Sequence, residues 1–203
     1  MKIKFWILGG VLVILSLGCY WAFSSDKIEV HPNRPLVWRD FRQVDLINGR
    51  ESINAKCIST TDFQINRIYD EGKHKRIDLK VRIALHEEQT QVALHFLSRA
   101  DKDTKAQVLH HENGHFKIAQ IVGHRIVRAV DAFLFDPKNF KPQLDSIVTS
   151  NYRDWSRLDR EYDRVTTKPR NAEKQKEWDL WFKKELGKLE VGSRKPEAVS
   201  WEL

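Results

Sequence analysis

"VLHHENGHFKI", residues 108–118, places three histidines and a glutamate within six positions. His111, Glu112, Asn113, Gly114 and His115 spell the HExxH pattern. On a helix, residues four apart stand one above the other, so His111 and His115 can face a single metal ion. Glu112 then lies beside the ion, where it can take a proton from a bound water. At about 100° per residue, with His111 at zero, His115 falls near 40° and Glu112 near 100°. Val108, Ala119, Val122, Ile126, Ala129, Val130 and Phe133 lie in the same arc, so the motif sits on an apolar, core-facing stripe. Burying two imidazoles and a carboxylate costs several kcal/mol unless something compensates, and a metal ion does so directly. His110 and His124 fall on the opposite face and are expected at the surface.

The motif's helix is expected at roughly 104–134, capped by Asp103 or Thr104 and stopped by "DPK" at 136–138. A second helix should follow over 140–166 and a third over 171–189, with Trp178, Trp181, Phe182, Leu186 and Leu189 facing inward. On the second, Leu144, Ile147, Val148, Tyr152, Trp155, Leu158 and Tyr162 form the apolar stripe. Asp159 and Asp163 fall within or beside it, whereas Glu161 points to solvent. Two aspartates on an apolar face fit one as metal ligand and the other as the partner that orients a ligand histidine. Pairing with Arg160 or Arg164 is the alternative.

Upstream of the motif the period is two. Ile77, Leu79, Val81, Ile83 and Leu85 alternate with Asp78, Lys80, Arg82 and Ala84, a half-buried strand. "FQINRIY" is strand-like, and "DEGK" at 70–73 between them predicts a hairpin. "RPLVWRDF" at 34–41 offers Leu36, Trp38 and Phe41 as anchors of a strand running into a short turn. Strands first and helices after define an α+β domain. His31, His74, His86 and His95 carry no ligand spacing.

Residues 1–25 read separately from the domain over 26–203. Lys2 and Lys4 precede an uncharged run from Phe5 to Phe23, whose helical length of roughly 28 Å matches a bilayer core. The positive-inside rule then places the remainder outside the cytoplasm, as a single-pass inner-membrane protein facing the periplasm. A lipoprotein modified at Cys19 and a secreted chain are the alternatives. Cys57 has no partner in the soluble part, so no internal disulfide forms there. The net charge of +7 is interleaved with acids, as in "DREYDR", and indicates a solvated basic surface near anionic headgroups rather than nucleic acid.

Four blocks in order, "LVWRDF" (36–41), "LHHENGHFKIAQI" (109–121), "YDRVT" (162–166) and "EKQKEW" (173–178), resemble the bacterial zinc-dependent protease-like family catalogued as domain of unknown function nine-two-two. The resemblance implies a compact zincin-like α+β domain and a peptidase acting through Zn2+. Asp163, within the tyrosine-aspartate block, becomes the favoured third ligand beside His111 and His115. Asp159 is then the orienting partner or alternative ligand. The family's block continues to a histidine and glycine that fall here at Lys168 and Pro169, and a protonated lysine cannot ligate zinc.

The expected function is hydrolysis of a peptide or protein substrate by a zinc-bound water, with Glu112 as general base. The strand over 77–85, or a neighbour, is expected to lie above the helix and pair with extended substrate. An inactive zincin-like module binding an envelope partner is the alternative.

Overall fold

The computed structural model describes residues 3–7, 11–15, 27–167 and 171–193. The expected hairpin forms from β6 (Ser59–Glu71) and β7 (His74–Leu85), paired from Ser59↔Leu85 to Glu71↔His74. Gly72 turns it at φ 65°, a left-handed conformation that side chains with a Cβ adopt at a cost. Ile77, Leu79, Val81 and Ile83 are buried, as the alternation requires.

β7 is not an edge. β3 (Ile28–His31) pairs with it in parallel on its far side, in a sheet of order β1-β2-β6-β7-β3. With β6 on one side and β3 on the other, Val81–Ala84 of β7 has no free edge for a substrate strand, and the expectation passes to a neighbouring strand. A smaller sheet has the order β4-β8-β5, from Arg42–Val44, Gln91–Ala93 and Ala55–Lys56.

β1 (Ile3–Ile7) and β2 (Val11–Leu15) are antiparallel strands, where a spanning helix was expected. Their aliphatic and aromatic residues suit strands as well as an apolar helix. The rest of the 5–23 run lies outside the described residues, among which no helix is long and apolar enough to cross a membrane.

Among the described residues, four α-helices complete the α+β fold. α1 (Leu94–Arg99) follows β8 directly. α2 spans Lys102–Ala132 and is capped by Asp101, whose Oδ1 accepts the Thr104 N–H at 2.7 Å. The cap therefore stands two or three residues earlier than expected, because Asp101 alone has a free carboxylate ahead of the first turn. α3 covers Phe140–Thr166 and α4 covers Ala172–Ser193.

α2 packs on β7 with one side and on α3 and α4 with others. It buries Val108, Ala119, Val122, Ile126 and Val130 as expected, and also Phe116, Ile118, Ile121 and Val127. One apolar arc cannot account for a helix covered on several sides. Phe133, expected inside, caps the helix and is exposed. On α4, Phe182 is buried, with Trp178, Trp181 and Leu186 packed against the core.

The "LVWRDF" segment forms the expected short turn, a 3-10 turn over Trp38–Asp40, with no strand leading into it. Asp40 holds Arg34 through two oxygens and accepts the Val37 N–H, which closes the turn. Leu36 and Phe41 are buried on either side.

Candidate metal centre

The first half of α2 enters the core carrying polar side chains, and each has a partner. Nε2 of His111, Nε2 of His115 and Oδ1 of Asp163 stand 3.2 Å from one another on all three sides. Two turns of α2 supply the imidazoles and α3 supplies the carboxylate. The site opens outward through Asp163, whose side chain is 55% exposed against 17% and 12% for the histidines.

Asp159, one turn before Asp163, lies 2.7 Å from Nδ1 of His115. Glu161 turns away and pairs with Arg164. The helical angles therefore placed all three acids correctly, and neither site aspartate is paired with a basic side chain of α3 in place of the histidines.

Burial by itself would lower the basicity of His115. Its hydrogen bonds to Asp159 and Asp163 outweigh burial and hold it well above the ordinary range in the metal-free chain. Burial would likewise raise Asp163, yet the two imidazoles hold its carboxyl well below the usual range. Three electron-rich atoms converge on one point.

A tetrahedral zinc ion with bonds of about 2.0–2.1 Å separates its ligand atoms by roughly 3.3 Å. The 3.2 Å triangle fits that spacing, and two imidazoles with one carboxylate are a donor set zinc accepts while keeping a fourth position open. No further His, Cys, Asp or Glu joins these three as a ligand group among the described residues.

Glu112 reaches from the same stretch of α2 to the strand-rich half. It is buried, and its Oε2 accepts the Cys57 N–H at 2.7 Å, directly after β5. Burial pushes its carboxyl up, against the lowering effect of the two histidines and that N–H. Cys57 itself is a free, buried thiol held up by burial and by the Glu112 and Asp159 carboxylates.

The two middle letters of the motif are also accounted for. Asn113 Oδ1 accepts the Leu36 N–H at 2.7 Å, and its amide donates to the Leu36 and Leu109 carbonyls. It fastens the "LVWRDF" segment to the metal helix. Gly114 makes room for Tyr162, whose ring and hydroxyl occupy the place a Cβ would take. That hydroxyl donates to the His111 carbonyl at 3.0 Å, and the ring stacks on the His111 imidazole at 4.7 Å.

Tyr162 is backed from α4 by Gln175 and Trp178, both within the "EKQKEW" block. Thr166, which sequence reasoning passed over, places its hydroxyl 3.1 Å from His111 Nδ1. The usable signal was its angle, about 40° from Leu144 and so inside the stripe of α3.

His110 is exposed and pairs with Asp179 of α4 at 2.9 Å. His124, expected at the surface, is half-buried, and burial lowers its basicity to about 4. α4 covers the face of α2 that a single-helix projection assigns to solvent, but neither histidine joins the triad. His31, His74, His86 and His95 stay outside it as well. Lys168 and Pro169 lie outside the described residues.

No curated protein and no solved structure matches the chain. A family model matches residues 42–171 and so takes in two of the four blocks, the histidine block and "YDRVT". With more than half of its length matched, the chain belongs to the family described as bacterial protein of unknown function (DUF922).

Proposed function

We propose that the chain is a membrane-anchored, envelope-facing zinc metallopeptidase. The observation that carries this reading is the triad of His111, His115 and Asp163, three donor atoms at 3.2 Å spacing with one side open to solvent. Zinc held there supplies a polarised water of lowered pKa and a Lewis acid for a carbonyl.

Glu112 has one carboxylate oxygen bound by the Cys57 N–H, which leaves the other to accept a proton from the attacking water. The raised affinity of that carboxyl for protons suits a base that must then hand the proton to a leaving amine. Asp159 keeps the His115 ring turned so that Nε2 faces the triad. Peptide pairing by strand addition moves from β7 to β5, the strand that leads into Cys57 and that has a partner on one side only among the described strands.

The anchor reading rests on sequence alone, the uncharged run from Phe5 to Phe23 behind Lys2 and Lys4, and it requires that run to be helical in a bilayer rather than paired as β1 and β2. It places the domain in the periplasm at the inner membrane.

A second reading, a metal-binding module without hydrolysis, is favoured by one residue. Lys168 stands where the family pattern carries a histidine. Replacement of Glu112 by glutamine separates the two readings, because an amide cannot accept the water's proton. In a peptide-library digest, the peptidase reading expects wild-type cleavage that Glu112→Gln abolishes, with zinc content and fold unchanged. Cleavage surviving within tenfold removes Glu112 as base. No cleavage by zinc-loaded wild type supports the non-hydrolytic module.

A further inference from the structure

His111 and His115 reach the same point but are held from behind by different chemistry. Behind His115 stands a carboxylate, Asp159, at 2.7 Å. Behind His111 stands a neutral hydroxyl, that of Thr166, at 3.1 Å from Nδ1. Thr166 is buried at 5% exposure, in the last turn of α3.

A hydroxyl has one hydrogen to give. The Thr166 hydroxyl gives it to the Tyr162 carbonyl four residues earlier, at 2.6 Å. This is the shorter of the two contacts, and a serine or threonine in a helix readily bonds back to the preceding turn. Toward His111 the oxygen then offers lone pairs alone, so Nδ1 must carry the ring hydrogen. In a neutral imidazole the other nitrogen, Nε2, keeps its lone pair. Nε2 is the atom that faces Asp163 and His115 at 3.2 Å.

We propose that Thr166 is a positioning residue that locks His111 in the tautomer able to bind metal, the part Asp159 plays for His115. This deepens the metallopeptidase reading and rests on its metal site. Because Thr166 is uncharged, it orients the ring without adding a further anion to a site that already holds Asp163, Asp159 and Glu112. The Tyr162 carbonyl is therefore part of the arrangement, since it takes the hydrogen that would otherwise point at His111. Removing the hydroxyl frees the ring to place its hydrogen on Nε2 and donate to Asp163, which closes the metal position with a histidine–carboxylate hydrogen bond.

The test compares Thr166→Val, which keeps the shape and loses the hydroxyl, with Thr166→Ser, which keeps the hydroxyl. Both are made in the full-length chain in detergent micelles. Zinc affinity is read by chelator competition, and the ring hydrogen of His111 by 15N NMR of the metal-free protein. Wild type and Thr166→Ser are expected to carry the hydrogen on Nδ1 and to agree in affinity within about threefold. Thr166→Val is expected to shift it to Nε2 and to lose roughly 10- to 100-fold in zinc affinity, the usual cost of removing such a partner.

A Thr166→Val protein that keeps the hydrogen on Nδ1, or a serine variant as weak as the valine one, overturns the proposal. So does a metal-free wild type with the hydrogen on Nε2, which stands as a test even where the valine variant does not fold. A wild type that takes no zinc ends the metal reading instead, and the ring measurement still decides the role of Thr166.

Discussion

α2 is one continuous helix with two dissimilar halves. From Ile118 to Val130 it buries hydrocarbon, and Ile118, Ile121, Val122 and Ile126 are each at most 1% exposed. From His111 to His115 it carries two imidazoles, a carboxylate and an amide into the same core. The second half needs only shape. The first half needs a named partner for each polar side chain: Asp163 and Thr166 for His111, Asp159 for His115, Cys57 N–H for Glu112, and Leu36 for Asn113. One helix can do both because the apolar half is anchored on β7, which leaves the polar half rigid enough to hold donor atoms in register.

The two glycines of α2 sharpen this comparison most. In the polar half, a Cβ at Gly114 meets the ring and hydroxyl of Tyr162, a residue fixed by its hydroxyl hydrogen bond and by stacking on His111. In the apolar half, a Cβ at Gly123 meets the Cδ1 end of Ile83, a flexible methyl. Gly114→Ala is expected to cost about 3 kcal/mol or more by overpacking and to weaken zinc binding with it. Gly123→Ala gains about 1 kcal/mol of helix propensity, roughly what it loses against Ile83, and ends near neutral. Denaturant unfolding of both variants checks this, and equal costs at the two positions would break the comparison.

Within the polar half, the acids of α3 are expected to rank by contact. Asp163→Ala should lose more than about 100-fold in zinc affinity, and Asp159→Ala roughly 10- to 100-fold. Glu161→Ala and His124→Ala should leave zinc affinity unchanged, although the half-buried His124 can affect stability. Chelator competition across the four variants reads the order. A large loss at Glu161 would contradict the observed orientation of α3.

The smaller effect is on pH dependence. In the metal-free chain His115 is held above its unfolded value of about 6.5. Its contribution to stability is therefore complete below that value and is lost as pH rises through the raised one. Asp163 is held below its unfolded value of about 3.9, so its contribution is present above that and is lost on acidification. Metal-free protein is expected to lose more stability toward alkaline pH than zinc-loaded protein, since zinc displaces the His115 proton. Melting curves with and without chelator check this, and a metal-free melting temperature that rises through the alkaline range would contradict it.

Much of the polar half was legible from period alone. A helix rotates each residue by a fixed angle, so two helices and their apolar stripes were enough to select Asp159 and Asp163 over Glu161. Thr166 was missed because a threonine on an apolar face carries no charge to arouse suspicion, although its angle was right. The position of β7 was missed for another reason. Alternation along one strand shows which face is buried, but not which strands pair with its two edges. Its partner β6 precedes it directly, whereas β3 lies before β4 and β5 in sequence. His124 was misplaced because a single-helix projection cannot show that α4 returns to cover the opposite face of α2. The cap at Asp101 shows the ordinary slack in a helix boundary.

The central claim is that the His111, His115 and Asp163 triangle is a zinc site. Metal analysis of the purified full-length chain, together with the His111→Ala/His115→Ala double variant, tests it most directly. Wild type is expected to carry about one zinc per chain and the double variant none, with the fold retained in both. A folded wild type that stays metal-free in excess zinc would contradict it.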